Sequence, residues 1–331
     1  MTLHRALWAG LASLAVLVAG GPRCGYSDPL PSRPQWWQPS MAVDYALIAA
    51  SGATVWALWG RSPPQGSAIG PSFDPQRPAA VLDPALAVRI GKPHVAQNSG
   101  ERVPTAAMAY AIVPALAWVV LQEGIPAWRS GQSGALQVHE AGVGLVEALG
   151  LTLATTEAGK ALAGRLRPDF QERVRRFYCA EGDPQGVPCT GAEVPLAADQ
   201  GAARKLLDDG RKSFPSGHAS TAFALATYAA LATGGRWVWA SDATSTSRAV
   251  GIGAQAAAIG LAGWVAWGRV ADGRHNTSDV VGGALIGAAF ANLSYWRRFD
   301  GDGRPRRQVR TVTADSWSVS PLGLSMAWHW R

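Results

Sequence analysis

The chain has 331 residues, 48% of them hydrophobic and only 16% charged, with a net charge of +7. This balance excludes a disordered chain, a collagen-like fibre and a small disulfide-dense scaffold, and leaves ample apolar content for a sizeable core. The positive charge favours anionic partners, but the arginines are scattered rather than massed in one run, so no nucleic acid is indicated; phosphate esters or an anionic lipid surface fit as well.

In chain order, residues 1–24 open with His4 and Arg5, run uncharged from Ala6 to Gly21 and end in small residues. That is the pattern of a secretory signal peptide, with an uncleaved N-terminal anchor as the alternative because no clean A-x-A site is present. Both direct the chain to the cell envelope. Arg23 stands where a lipoprotein signal ending at Cys24 wants a small residue, so lipidation is not expected. Residues 25–40, rich in Pro, Trp and Ser, read as an irregular lead-in. Helix-compatible apolar segments follow at 41–60, 105–122, 138–163, 218–235, 249–267 and 280–296. They are rich in Ala, Leu and Gly and longer than ordinary strands, which predicts an all-α bundle of about six core helices over residues 41–298. The basic tail, 299–331, alternates apolar and polar positions near its end and suits a short β-hairpin. Two connections are long, 61–104 and 169–212, and unstructured loops of that size are usually functional or mobile.

Spanning a bilayer takes about 20 mostly apolar residues, and several segments fall at or just under that length. Segment 138–163 carries His139, Glu140, Glu147 and Glu157, which are expensive at membrane depth. If a cleaved signal leaves the mature N-terminus outside, six crossings put the loop 169–212 in the cytoplasm. Cys179 and Cys189 in that loop form a candidate disulfide and want the oxidising side. Both considerations favour a soluble periplasmic bundle. Segments 105–122 and 249–267, uncharged throughout, instead suit an integral inner-membrane form.

Three clusters carry chemistry. In KALAGRLRP, Lys160 and Arg167 are seven apart, about two helical turns, and point the same way before Pro168 stops the helix. In SFPSGHAS, Pro215 and Ser216 mark a helix start and Gly217 lets backbone N–H groups approach an anion, with His218 placed to donate a proton to a leaving oxygen. In GRVADGRHNTSD, His275 and Asp279 are four apart, so the carboxylate can orient the imidazole, while Arg269 adds an oxyanion donor. Each cluster alone reads as an ordinary helix end.

Their order, Lys160-x6-Arg167-Pro168, then Pro215-Ser216-Gly217-His218, then Arg269-x5-His275-x3-Asp279, closely resembles the three-part signature of the type 2 phosphatidic acid phosphatase superfamily. That superfamily also includes class A acid phosphatases and vanadium haloperoxidases. The third motif departs from the usual pattern by opening on Gly268 where the family has serine. The resemblance implies that His275 attacks phosphorus to form a phosphohistidine, with Asp279 holding its tautomer and His218 protonating the leaving alcohol and then activating water. It also implies that Lys160, Arg167, Arg269, Ser216 and the Gly217 N–H bind the phosphate oxygens. No metal or other cofactor is expected, and vanadate is expected to inhibit as a phosphate mimic. His4, His94, His139 and His329 form no ligand spacing and read as structural or surface groups. The expected function is hydrolysis of a lipid phosphate or a small phosphate ester at the cell envelope. A vanadate-dependent haloperoxidase and a non-catalytic anion-binding protein are the alternatives.

Overall fold

The structure, a computed structural model, describes residues 39–59, 61, 117, 118, 122, 132–180, 189, 195, 197, 199–307, 312–320 and 323–330. Residues 1–24, expected to direct targeting, nearly all of the expected lead-in, the connection 62–104 and most of segment 105–122 lie outside them. Within them the chain is an all-α bundle: α1 (Pro39–Leu58), α2 (Gln132–Ala163), α3 (Phe170–Ala180), α4 (Gln200–Asp209), α5 (Gly217–Thr233), α6 (Ser245–Ala271) and α7 (Thr277–Arg298). A π-helical turn, Gly234–Val238, follows α5. The C-terminal segment forms a two-stranded antiparallel hairpin of β1 (Val312–Ser320) and β2 (Gly323–Trp330), with Trp317 opposite Met326 and an irregularity between Ala314 and Ser316.

Helices α2, α5 and α7 enclose the main core, where Leu145 and Leu149 meet Leu225, Tyr228, Ala291 and Tyr295. The Tyr228 hydroxyl donates to the carbonyl of Ala141, so the one polar atom of that ring is satisfied inside the core. The α5–α7 pair is the tightest. A Cβ at Gly287 would lie 2.1 Å from the Ser220 carbonyl oxygen, and one at Gly283 2.5 Å from that of Ser216. Glycines four apart on α7 therefore let two backbones touch along α5, which brings the second and third motifs together.

The connection 169–212 is not an unstructured loop. Phe170, Val174 and Phe177 recur at helical spacing on α3 and pack inward with Leu166, Ala203 and Leu207. Asp199 caps α4 by accepting from the Ala202 N–H at 2.7 Å. Cys179 and Cys189 are joined as a disulfide with Cα atoms 5.7 Å apart, which ties the end of α3 to the chain leading into α4.

The bundle has two distinct ends. At one, Asp44 of α1 and Glu140 and Glu147 of α2 meet Arg297 and Arg298 of α7 and Arg307 beyond it. Three buried acids thus face three arginines with no net charge left over. Segment 299–307, read from the sequence as the start of the tail, packs onto this end: the Arg306 N–H donates to the Arg298 carbonyl and Gln137 donates to that of Gly303. His139 sits here too, 3.2 Å from Glu140 and 2.9 Å from the Tyr45 hydroxyl, in a structural setting. Trp118 and Gln122, bonded to Thr233, place the end of segment 105–122 at the same level. At the opposite end the C-terminus of α2 and the N-termini of α5 and α7 converge.

Outward-facing side chains are apolar over much of the bundle: Trp56 is 84% exposed, and Val250, Ile259, Leu261, Leu285 and Leu293 are also exposed. Two helices, Met41–Leu58 and Ser245–Ala271, are long and apolar enough to cross a membrane. The acids of α2, weighed from the sequence as evidence for a soluble core, point inward and are paired, which removes that objection.

Candidate functional site

Helix α2 ends at Gly164, whose φ of 57° is the left-handed conformation that terminates a helix and turns the chain. Residues 165–167 then pair antiparallel with 210–213. The Arg167 N–H donates to the Gly210 carbonyl at 2.8 Å and the Ser213 N–H to the Arg165 carbonyl at 3.0 Å. This short ladder carries Arg165 and Arg167 of the first motif past Asp209, which precedes the second motif, and Ser213, which opens it. Ser216 starts α5 as its N-cap, with its hydroxyl turned to the Ala219 N–H at 3.5 Å, so the side chain proposed for phosphate contact is spent largely on the helix end. A Cβ at Gly217 would stand 3.0 Å from Lys160 Nζ; glycine here is what allows the ammonium to reach the first turn of α5.

The third motif bends around Gly273, φ 65°. The N–H groups of Arg274 and His275 both donate to the Arg269 carbonyl, at 3.0 and 3.2 Å, so the loop folds back and holds the imidazole beside the last turn of α6. His218 feels the charges of Arg269, His275, Lys160 and Arg167. The three motifs, separate in sequence, thus surround one small volume.

His275 is buried, and its Nδ1 lies 2.8 Å from the Ser213 carbonyl oxygen but 3.8 Å from Asp279 Oδ2. A carbonyl only accepts, so Nδ1 carries the proton and Nε2 presents its lone pair. The sequence assigns the tautomer to Asp279; the structure gives that contact to the Ser213 backbone, because 3.8 Å exceeds hydrogen-bond reach. Asp279 stands one step behind. It accepts from Arg165 at 2.9 Å, from the Ser213 hydroxyl at 2.5 Å and from the Asn276 N–H at 2.8 Å. Arg165 also donates to Ser278 at 2.6 Å. Arg165 and Ser213 therefore belong to the constellation, and their adjacency to Arg167 and to the second motif was the available signal.

Lys160 pairs with Glu157 at 2.6 Å and Arg167 with Asp209 at 3.0 Å. Burial, with the charges of Arg167 and Arg269 and against the pull of Asp279, lowers the His275 imidazole to about 4. Burial opposes ionisation of Asp209, but Arg167, Arg173, Lys160 and His275 outweigh it and hold its carboxyl below the usual range. Among the described residues no three His, Cys, Asp or Glu side chains come together as a metal cradle. The arrangement is a neutral imidazole beside the cationic side chains of Lys160, Arg167 and Arg269.

Residues 141–301 match the family profile of the PAP2 superfamily, a stretch that contains all three motifs. The chain is similar to a probable diacylglycerol pyrophosphate phosphatase 1 of Schizosaccharomyces pombe, 33% identical over 140 residues, covering 42% of this chain and 47% of that protein. It is similar also to lipid phosphate phosphatase 2 of Arabidopsis thaliana, 31% identical over 189 residues, 54% of this chain and 59% of the relative. To lipid A 1-phosphatase of Porphyromonas gingivalis it is 36% identical over 94 residues, 28% of this chain and 18% of that protein. The chain spans about half the length of the first two. No solved structure matches it.

Proposed function

We propose that this chain, whose residues 141–301 form a domain of the PAP2 superfamily, is a membrane-embedded phosphatase that removes phosphate from a lipid phosphate or diphosphate. The observation that carries the reading is the His275 Nδ1 to Ser213 carbonyl contact of 2.8 Å. It leaves the Nε2 lone pair free for phosphorus in a ring of cations. Nε2 attacks phosphorus, the P–O bond to the alcohol or phosphate leaving group breaks, and His218 gives its proton to the departing oxygen. Water, losing a proton to His218, then attacks the phosphorylated imidazole, the P–N bond breaks and inorganic phosphate leaves. Lys160, Arg167, Arg269 and the Gly217 N–H neutralise the equatorial oxygens, where transition-state charge accumulates. Ser216 joins them if its long N-cap contact yields to the substrate.

A lipid substrate is supported by the names of the relatives and by the apolar outer surface, which suits acyl chains. The disulfide lies at the same end as the site, which favours an oxidising compartment there. The ends of α1 and α7 opposite the site then face the cytoplasm, which replaces the premise of a cleaved signal leaving the N-terminus outside; without that premise the parity conflict met in the sequence does not arise.

The test is phosphate release by purified membranes and soluble fractions, supplied with phosphatidic acid, diacylglycerol pyrophosphate and a chromogenic ester, with and without vanadate. Vanadate-sensitive hydrolysis of the lipids in the membrane fraction is expected, with an acid-labile phosphoryl adduct on the protein. His275→Ala and His218→Ala should each lower kcat by at least about a hundredfold while leaving the fold intact. Full activity in either variant would remove the mechanism.

A further inference from the structure

Resting on that phosphatase reading, we propose that Asp209 tunes anion affinity at the site, a carboxylate of the chain that competes with phosphate for Arg167 and keeps the product from being retained. Asp209 belongs to none of the three motifs. It is the last residue of α4, and the backbone ladder between 165–167 and 210–213 sets it beside Arg167, with Oδ1 3.0 Å from Nη2.

The pair is not built like the structural ion pairs around it. Asp279 and its partner Arg165 are sealed, and Asp169 with Arg173 is fully buried at 2.9 Å. The Asp209 side chain is 44% exposed while Arg167 is only 11% exposed. The carboxylate is therefore the solvent-facing member of the pair, the one that an arriving phosphate can displace. Arg173, 3.6 Å from the other Asp209 oxygen, also pairs with Asp169 at 2.9 Å, an acid it shares with Arg274 at 3.9 Å, so Asp209 is not its sole counter-ion. The charge of Lys160 also reaches Asp209, so the carboxylate lies within the field of the cations around the site.

An incoming phosphate oxygen takes the place of Asp209 Oδ1 on Arg167 Nη2. The displaced carboxylate stays nearby as a negative charge facing an anion, which raises the free energy of bound substrate and of bound free phosphate alike. Release is favoured and tight product inhibition avoided.

The experiment is inhibition of the full chain in detergent by inorganic phosphate and by orthovanadate, for wild type, Asp209→Asn and Asp209→Glu. The Asn variant removes charge and keeps size, so its Ki for both anions and its KM should fall about tenfold. The Glu variant should stay within about twofold of wild type in Ki. An unchanged or higher Ki in Asp209→Asn would make Asp209 a mere support for Arg167 and overturn the proposal, as would an Asn-like Glu variant. If Asp209→Asn does not fold, Asp209→Ser, also uncharged, carries the same expectation. A wild-type chain that neither hydrolyses phosphate esters nor binds vanadate would instead sink the phosphatase reading itself.

Discussion

Asp279 accepts hydrogen bonds from a guanidinium, a hydroxyl and a backbone N–H while wholly buried. Removing Arg165 would leave that carboxylate without its only cation in direct contact among the described residues, and an uncompensated buried charge costs about 3–5 kcal/mol. Arg165→Met should therefore lower the thermal midpoint steeply, whereas Arg165→Lys, which restores charge but not the fork to Ser278, should recover part of the loss; equal stability of Met variant and wild type would refute the assignment. His275 gives a second prediction. Its folded value of about 4 lies below its unfolded value near 6.5, so the unfolded chain takes up the proton first. The stabilisation is complete above pH 6.5 and is lost as pH falls towards 4, by about 3 kcal/mol. Asp209, depressed in turn, adds a loss at lower pH still. Unfolding at pH 7.5, 5.5 and 4 should show this decline, and His275→Asn should flatten it between 6.5 and 4. The motif residues were legible because their spacing is local and their chemistry unusual. Asp209 was not, nor were the roles of Arg165 and Ser213 within the motif segments, because these contacts arise from a backbone pairing between distant segments.

Glycines on different helices do opposite work at the level of elements. Gly287 faces α5, where a Cβ would press on the Ser220 carbonyl at 2.1 Å and the Ala224 nitrogen at 2.7 Å, both backbone atoms that cannot step aside. Gly253 on α6 faces open space. Gly287→Ala should thus separate α5 from α7, destabilise the fold by about 1–3 kcal/mol and reduce activity, since His218 and His275 sit on these two helices' N-terminal ends. Gly253→Ala should stabilise by up to about 1 kcal/mol through helix propensity alone. Melting curves of the two variants should move in opposite directions, and a parallel shift would contradict the packing. The long helices announced themselves by composition. The amphipathic pair α3 and α4 did not, because scattered arginines dominate the segment and hide Phe170, Val174 and Phe177 or Ala203, Leu206 and Leu207, although their 3.6-residue period and the Asp199 cap were there to be read.

For the whole molecule, charge and apolar surface are segregated among the described residues. Trp56, Trp59, Trp264 and Trp267 are exposed near the site end, while Trp239 and Trp296 are exposed and stacked near the other. Along α6, Val250 to Trp267 spans about 26 Å at 1.5 Å per residue, close to the roughly 30 Å of a hydrocarbon core, and no charged residue lies between them. Tryptophan at two levels with aliphatic side chains between suits the bilayer setting proposed for the bundle. The ionisable residues of α2 do not oppose it, since Glu140 and Glu147 close onto Arg298 inside the bundle. Arg298→Met should therefore strand two acids and reduce the yield of folded protein more than any outward substitution. The more general consequence concerns partition. Chain produced in cells should sediment with membranes, remain there through alkaline carbonate washing and be released only by detergent, with vanadate-sensitive activity following it into the detergent extract. Release by carbonate would mean that the apolar belt is covered by protein rather than lipid, and the lipid substrate would lose its structural support while the chemistry of His275 would not.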